Sequence, residues 1–255
     1  MLRANWLLNK LRHADSPCIG TWITLPSIET LDCICSAQPD FVVIDCEHSP
    51  ISLETAHQMI MVSESREVSP ILRIPEVTES SVLRSLETGA HGLQVPNVSS
   101  HQTMENIYSF ARYAPDGVRG LSPYTRACGY SADNSADMVN QANKNTLLIA
   151  QIEGESGINN FDRIFEEPNF DICFIGLYDL SNFLGHPGQL EHPEVRALFE
   201  KIARKISDAG VIVGSISNTL DQQKYLSDTG VKYITHSADC HMLNGVYREV
   251  FSAKN

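Results

Sequence analysis

Short apolar runs of strand length alternate along this chain with longer segments whose apolar residues recur at helical spacing. Met1 to Leu11 reads as an amphipathic helix interrupted by Asn9 and Lys10, too short an apolar run to be a signal segment or a membrane span. Cys18 to Leu25 reads as a strand, and Pro26-Ser27 opens a helix carrying Ile28, Leu31 and Ile34 on one face. The same alternation continues with strand Phe41 to Asp45, a helix from Leu53 to Ser63, strand Ile71 to Ile74, and a helix from Glu79 to Glu87 stopped by Gly89. Strand Gly92 to Val95, helix Ser100 to Arg112, strand Thr146 to Gln151, helix Gly157 to Phe165 and strand Asp171 to Ile175 follow. Helix Pro193 to Asp208, with proline in its first turn, leads to strand Val211 to Val213, helix Leu220 to Asp228, strand Lys232 to Thr235 and a last helix from Ala238 to Phe251.

Roughly eight strands alternating with helices, with no linker or change of composition, predict one (β/α)8 TIM barrel over residues 1–255, with an extra N-terminal helix. No glycine-rich phosphate turn follows the first strands, which weakens an open nucleotide-binding sheet. Two connections exceed what the repeat needs, Tyr113 to Tyr130 and Gly176 to His192, and both are expected at the C-terminal ends of the strands.

Composition narrows the function. The 255 residues are 42% hydrophobic and 20% charged, ordinary for a globular protein, and the net charge of −12 argues against nucleic acid. The seven cysteines are scattered without a CxxC pair, so reduced thiols in a cytoplasm are expected. No run of about 18 apolar residues offers a membrane span.

The candidate chemistry lies at strand tips, which a barrel gathers at one mouth. The run Phe41-Val42-Val43-Ile44 ends in Asp45, Glu47 and His48. Arg73 interrupts an apolar strand and needs an anion, either a substrate group or an ion pair with Asp45 or Glu47. Gln151 and Glu153 end another strand, Asp179 follows the next, and the last strand offers His236 and Asp239. Glu153 and Asp179, with positions left for water and substrate, suit Mg²⁺ or Mn²⁺. The alternative is a helix cap and a turn residue. His48 beside Asp45 has the ingredients of an oriented imidazole for proton transfer, while Cys46 faces the other way and reads as packing.

The motifs Ile44-Asp45-Cys46-Glu47-His48-Ser49-Pro50, Arg73-Ile74-Pro75, Val95-Pro96, Tyr113 through Gly120, Gln151-Ile152-Glu153, Phe174-Ile175-Gly176 with Asp179-Leu180-Ser181, and His192-Pro193-Glu194-Val195 occur in this order. The chain in this way resembles the HpcH/HpaI group of class II pyruvate aldolases over about residues 20–250. The resemblance implies a metal-dependent carbon–carbon lyase that reversibly cleaves a 4-hydroxy-2-oxo acid to pyruvate and an aldehyde. It implies a divalent cation (Mg²⁺ or Mn²⁺, with Co²⁺ also accepted) on Glu153 and Asp179, and Arg73 donating to the enolate oxygen. His48, oriented by Asp45, would be the base. Gln151 and backbone N–H groups at Tyr178 and Asp179 would seat the pyruvyl carboxylate, and Trp22 would wall the pocket. A homo-oligomer, a hexamer built as a trimer of dimers, is implied as well. The family's usual Gly-Pro-Ala-Asp-Leu-Ser is here Gly176-Leu177-Tyr178-Asp179-Leu180-Ser181, which puts an aromatic ring beside the second metal ligand. The other readings are a different metal-enolate lyase, such as one acting on an acyl-CoA ester, or a non-catalytic metal-binding barrel with a regulatory role.

Overall fold

The computed structural model describes residues 5–133, 135–165 and 170–252. Strands β1 (Cys18–Ile23), β2 (Phe41–Asp45), β3 (Ser69–Arg73), β4 (Gly92–Val95), β5 (Leu147–Ile152), β6 (Ile172–Ile175), β7 (Ile212–Ser217) and β8 (Tyr233–Ala238) close in chain order into a parallel barrel, β8 returning to β1. This is the expected (β/α)8 architecture, and α1 (Trp6–His13) is the additional N-terminal helix. Around the sheet run α2 (Ile28–Ser36), α3 (Leu53–Ser65), α4 (Glu79–Glu87), α5 (His101–Ala111), α6 (Ser135–Asn145), α7 (Gly154–Asn159), α8 (Phe161–Ile164), α9 (Leu177–Phe183), α10 (Pro193–Asp208) and α11 (Leu220–Asp228), before α12 (Asp239–Ser252). Six of the described helices begin the same way: Asn5, Ser27, Ser52, Thr78, Ser100 and Thr219 each accept a hydrogen bond from the backbone N–H three residues on. Such caps satisfy donors that a helix start otherwise leaves open.

Side chains alternate across each strand, so every strand feeds two cores. Val42, Ile44, Leu72, Leu93 and Cys173 face the helices, whereas Phe41, Val43, Ile71, Ile149, Phe174 and Tyr233 fill the barrel. Inside, the Phe41 and Tyr233 rings stack at 4.2 Å. Gly20 on β1 makes this possible, because a Cβ there would lie 2.5 Å from the Phe41 ring. Leu7, Leu8 and Leu11 of α1 join this interior cluster and plug one end of the barrel. The Leu7 N–H donates to Ser69 Oγ and Asn5 Nδ2 to the carbonyl of His91, tying α1 to the starts of β3 and β4. The plugged end is therefore the N-terminal one, and the mouth lies opposite.

Several segments differ from their sequence expectation. The Tyr113–Tyr130 connection lies at the plugged end, because it follows a helix rather than a strand. Its Arg119 pairs with Glu87, and Arg126 with Glu64 and the carbonyl of Thr88, all at the C-terminal ends of α3 and α4. The Gly176–His192 segment is not all loop: α9 forms there and buries Leu177, Leu180 and Ser181. The helix expected over Gly157–Phe165 is two short helices broken at Asn160, whose Nδ2 donates to the carbonyl of Ser99. Strand β7 continues through polar Ser215 and Ser217, both fully buried. Of the N-terminal helix expectation, residues 1–4 lie outside the described residues.

Candidate active site

The inward-facing series on each strand ends at the mouth, and period two decides which polar residue arrives there. On β2 the series Phe41, Val43 delivers Asp45; on β3, Ile71 delivers Arg73; on β5, Leu147 and Ile149 deliver Gln151. Asp45 and Arg73 are in register on neighbouring strands. Arg73 Nε and Nη2 grip the two oxygens of Asp45 at 2.8 and 2.7 Å, and its Nη1 lies 3.2 Å from Glu47 Oε2. The guanidinium also sits 4.3 Å over the Trp22 ring, whose Nε1 donates to Thr235. Both ion-pair partners considered for Arg73 are thus engaged, and the hydrogen bonds to Asp45 take two of its five N–H donors.

This arrangement changes the role of Asp45. Its Oδ1 also accepts the backbone N–H groups of Glu47 and His48, so the carboxylate shapes the turn and holds Arg73, and its contact with His48 is through the backbone. Burial opposes its charge, but the hydrogen bonds and charge of Arg73 outweigh it and hold the carboxyl below its ordinary range. The His48 imidazole is largely exposed, with Nε2 3.8 Å from Glu47 Oε2. Glu47 is the acid that faces it. Burial, with the charges of Glu153 and Asp45, pushes the Glu47 carboxyl upward against the pull of Arg73 and His48.

Across the mouth, Glu153 and Asp179 meet in a gap left by Gly176, where a Cβ would stand 2.7 Å from Asp179 Oδ2 and 3.7 Å from Glu153 Oε2. Burial raises the Glu153 carboxyl, and the charge of Asp179 adds to this. Two carboxylates converging beside the Gly176 backbone form an oxygen-only donor set that a hard divalent cation fits. A chain of amides sets Glu153 in place. Tyr233 Oη donates to Gln94 Oε1 (3.3 Å), Gln94 Nε2 to Gln151 Oε1 (2.8 Å) and Gln151 Nε2 to Glu153 Oε2 (2.6 Å). The other oxygen of Glu153 accepts the Asn97 N–H, while Asn97 Nδ2 reaches Glu47 Oε1 at 3.5 Å, so Asn97 joins the two sides of the mouth. Asn97 holds this position at φ 54°, a left-handed conformation that asparagine tolerates.

Tyr178 turns outward from the two carboxylates. It is half exposed, and its hydroxyl accepts from Asn218 Nδ2 at 2.7 Å, bridging the ends of β6 and β7 on the rim. His236 pairs through Nδ1 with Ser217, and Asp239 accepts from Thr24, Leu25 and Cys240; these contacts fasten β8 to its neighbours. Cys46 packs against the outer core, and burial raises its thiol to about 11, in keeping with a packing role. Gln94, Asn97, Gly176 and Asn218 are the contributors that sequence reasoning missed. A polar residue inward on β4 was the available signal for Gln94.

A parallel eight-stranded barrel with carboxylates, an arginine and glutamines gathered at the C-terminal mouth defines an α/β-barrel enzyme. The chain belongs to the HpcH/HpaI aldolase/citrate lyase family, whose family model matches residues 19–244. It is 31% identical over 241 residues to the hydroxypyruvate/pyruvate aldolase of Paraburkholderia phytofirmans, covering 92% of each chain. It is 29% identical to the 5-keto-4-deoxy-D-glucarate aldolase of Shigella boydii, covering 90% of this chain and 87% of that one. The crystal structure of an HpcH/HpaI aldolase/citrate lyase family protein from Burkholderia cenocepacia superposes with a TM-score of 0.90 at 27% identity, covering 98% of this chain and 99% of the other. The protein is accordingly an enzyme of the lyase class. Among the described residues no helix is long and apolar enough to cross a membrane.

Proposed function

We propose that the protein is a divalent-cation-dependent aldolase that reversibly cleaves a 4-hydroxy-2-oxo acid to pyruvate and an aldehyde. The observation that carries this reading is the pair Glu153 and Asp179 converging beside Gly176, on the same mouth as Arg73 and linked to its side by Asn97. The name hydroxypyruvate/pyruvate aldolase of the Paraburkholderia relative supports a small 2-oxo acid as one product. Glu153 and Asp179 would hold Mg²⁺ or Mn²⁺, with Co²⁺ as an acceptable substitute. When bound, the cation supplies Lewis-acid stabilisation of the negative charge that develops on the 2-oxo group.

The chain's own residues do the rest. His48, at the solvent edge, takes the proton of the 4-hydroxyl as the C3–C4 bond breaks, and the electron pair passes to the 2-oxo oxygen. Glu47 faces the ring, its Oε2 3.8 Å from Nε2. Arg73, fixed by Asp45 and stacked on Trp22, offers its remaining N–H donors to the developing oxyanion; such preorganised donors act mainly in the transition state. Proton return to C3 completes pyruvate, and the aldehyde carries the former hydroxyl oxygen. The remaining Gln151 N–H and the backbone N–H groups at Tyr178 and Asp179 seat the carboxylate, and Trp22 closes the wall.

A homo-oligomer belongs to the same proposal. From Cys240 onward α12 is exposed, and it presents Met242, Leu243, Val246, Tyr247, Val250 and Phe251 to solvent. An apolar helix face of this kind is costly to leave wet and suits a second copy of the chain.

The test is pyruvate release from a panel of 4-hydroxy-2-oxo acids after chelation and after addition of Mg²⁺, Mn²⁺ or Co²⁺. Glu153→Ala is expected to abolish the cation-dependent rate. Turnover indifferent to both chelator and substitution would overturn the proposal.

A further inference from the structure

Away from the mouth residues, the segment leaving α9 carries a second group of ligand-type side chains. His186, His192 and Glu194 present ligand atoms that all lie within 4.8 Å of one another. The His186 and His192 rings stack with centroids 3.5 Å apart, and His186 Nε2 is 3.1 Å from Glu194 Oε2. We propose that these three residues form a cation site for a borderline d-block ion such as Zn²⁺, distinct in place and chemistry from the Glu153 and Asp179 pair.

The donor set carries the argument. Two imidazoles and one carboxylate, with a further position for water, are the ligands of tetrahedral zinc sites, whereas Mg²⁺ takes oxygen donors in an octahedral shell. The scaffold is already built. Buried Ser181 accepts the His186 N–H on its carbonyl at 2.8 Å and the Gly188 N–H on its hydroxyl at 3.0 Å. Gln189 N–H then donates to the His186 carbonyl, and His192 N–H to that of Gln189. Pro193 fixes the backbone between His192 and Glu194 at the first turn of α10. The backbone therefore needs little ordering on binding, and the two imidazoles turn out of their stack to aim their nitrogens at the ion. The contacts exchanged for coordinate bonds are the His192 Nδ1 cap on the Glu194 N–H, long at 3.3 Å, and the His186 Nε2–Glu194 Oε2 contact at 3.1 Å. Glu194 is exposed, which gives the ion a path in from solvent. Because Asp179 lies on α9 and Glu194 in the first turn of α10, an ion here ties the helix carrying one mouth carboxylate to its successor.

Chelator-stripped protein would be dialysed to equilibrium against Zn²⁺ or Mg²⁺ and its metal content measured by elemental analysis. His186→Ala/His192→Ala is expected to lose one Zn²⁺ per chain relative to the unaltered protein and to keep its Mg²⁺ uptake. Glu153→Ala is expected to lose the Mg²⁺ uptake and to keep the histidine-dependent Zn²⁺. The milder Glu194→Gln should weaken Zn²⁺ binding by roughly tenfold or more, with an unchanged metal-free melting curve excluding misfolding. Co²⁺ in the site should give the intense visible absorption of tetrahedral coordination, absent in the double variant. Equal Zn²⁺ content in the double variant and the unaltered protein, or affinity at this site weaker than about 1 mM, would overturn the inference. Failure of the aldolase reading would remove Mg²⁺-dependent turnover but leave the histidine-dependent Zn²⁺ in place.

Discussion

Asp45 is tied into the fold through Arg73. Buried with its two oxygens in the Arg73 fork, it compensates a guanidinium that would otherwise be stranded in the barrel. Breaking such a buried pair from one side costs about 3–5 kcal/mol, so Asp45→Asn should lose that much at neutral pH. The carboxyl is depressed in the folded state. Its contribution is therefore complete above the unfolded value of about 3.9 and fades only as pH falls further, through the folded value. Urea unfolding at several pH values should show a gap between the two proteins that persists at about pH 5 and narrows only below about pH 4. A gap already closed at about pH 5 would contradict the pairing. Gly176 offers a second test at this scale. Its φ of −73° suits alanine, yet the added methyl would press on Asp179 Oδ2. Gly176→Ala should keep the melting temperature and weaken Mg²⁺ affinity by roughly 10–100-fold, measured by titrating turnover with the cation.

At the scale of elements, the strand tips were legible because period-two alternation sorts inward from outward residues within one short run. Asp45, Arg73 and Gln151 reach the mouth for that reason. Asn97 and Gly176 were not legible. Their importance lies in side chains that strand alternation does not sort: Glu47 and Glu153, just past the tips of β2 and β5, for the one, and Asp179, in the first turn of α9, for the other. The Tyr113–Tyr130 connection shows that the order of elements, not loop length, decides which end a connection occupies. A segment that leaves a helix returns to the plugged end. There α1 does the closing, with Leu8 almost wholly buried in the interior cluster. Leu8→Ala should cost about 2–5 kcal/mol and lower the melting temperature in calorimetry while leaving the Michaelis constant unchanged. A shift in the Michaelis constant of comparable weight would mean that the plug communicates with the mouth.

For the whole molecule, α12 sets the question of assembly. The sequence reading placed this helix correctly, but its exposure could not be read from an apolar pattern that serves a core equally well. Val246→Asp with Val250→Asp should dissociate the assembly in light scattering coupled to size exclusion, with far-ultraviolet dichroism retained. An unchanged mass would assign the face to something other than a second copy.

The Tyr178–Asn218 bridge has a consequence for how such an enzyme diversifies. It stands on the rim, half in solvent, joined by a single side-chain bond rather than by the interdigitated rings of the barrel. A change there removes no buried methyl and opens no cavity, so it draws little on stability. Under the proposed reaction, the aperture through which the aldehyde would enter and leave can thus drift in sequence while the base of the barrel stays as it is, and a new partner for the 2-oxo acid would be within reach of one or two substitutions.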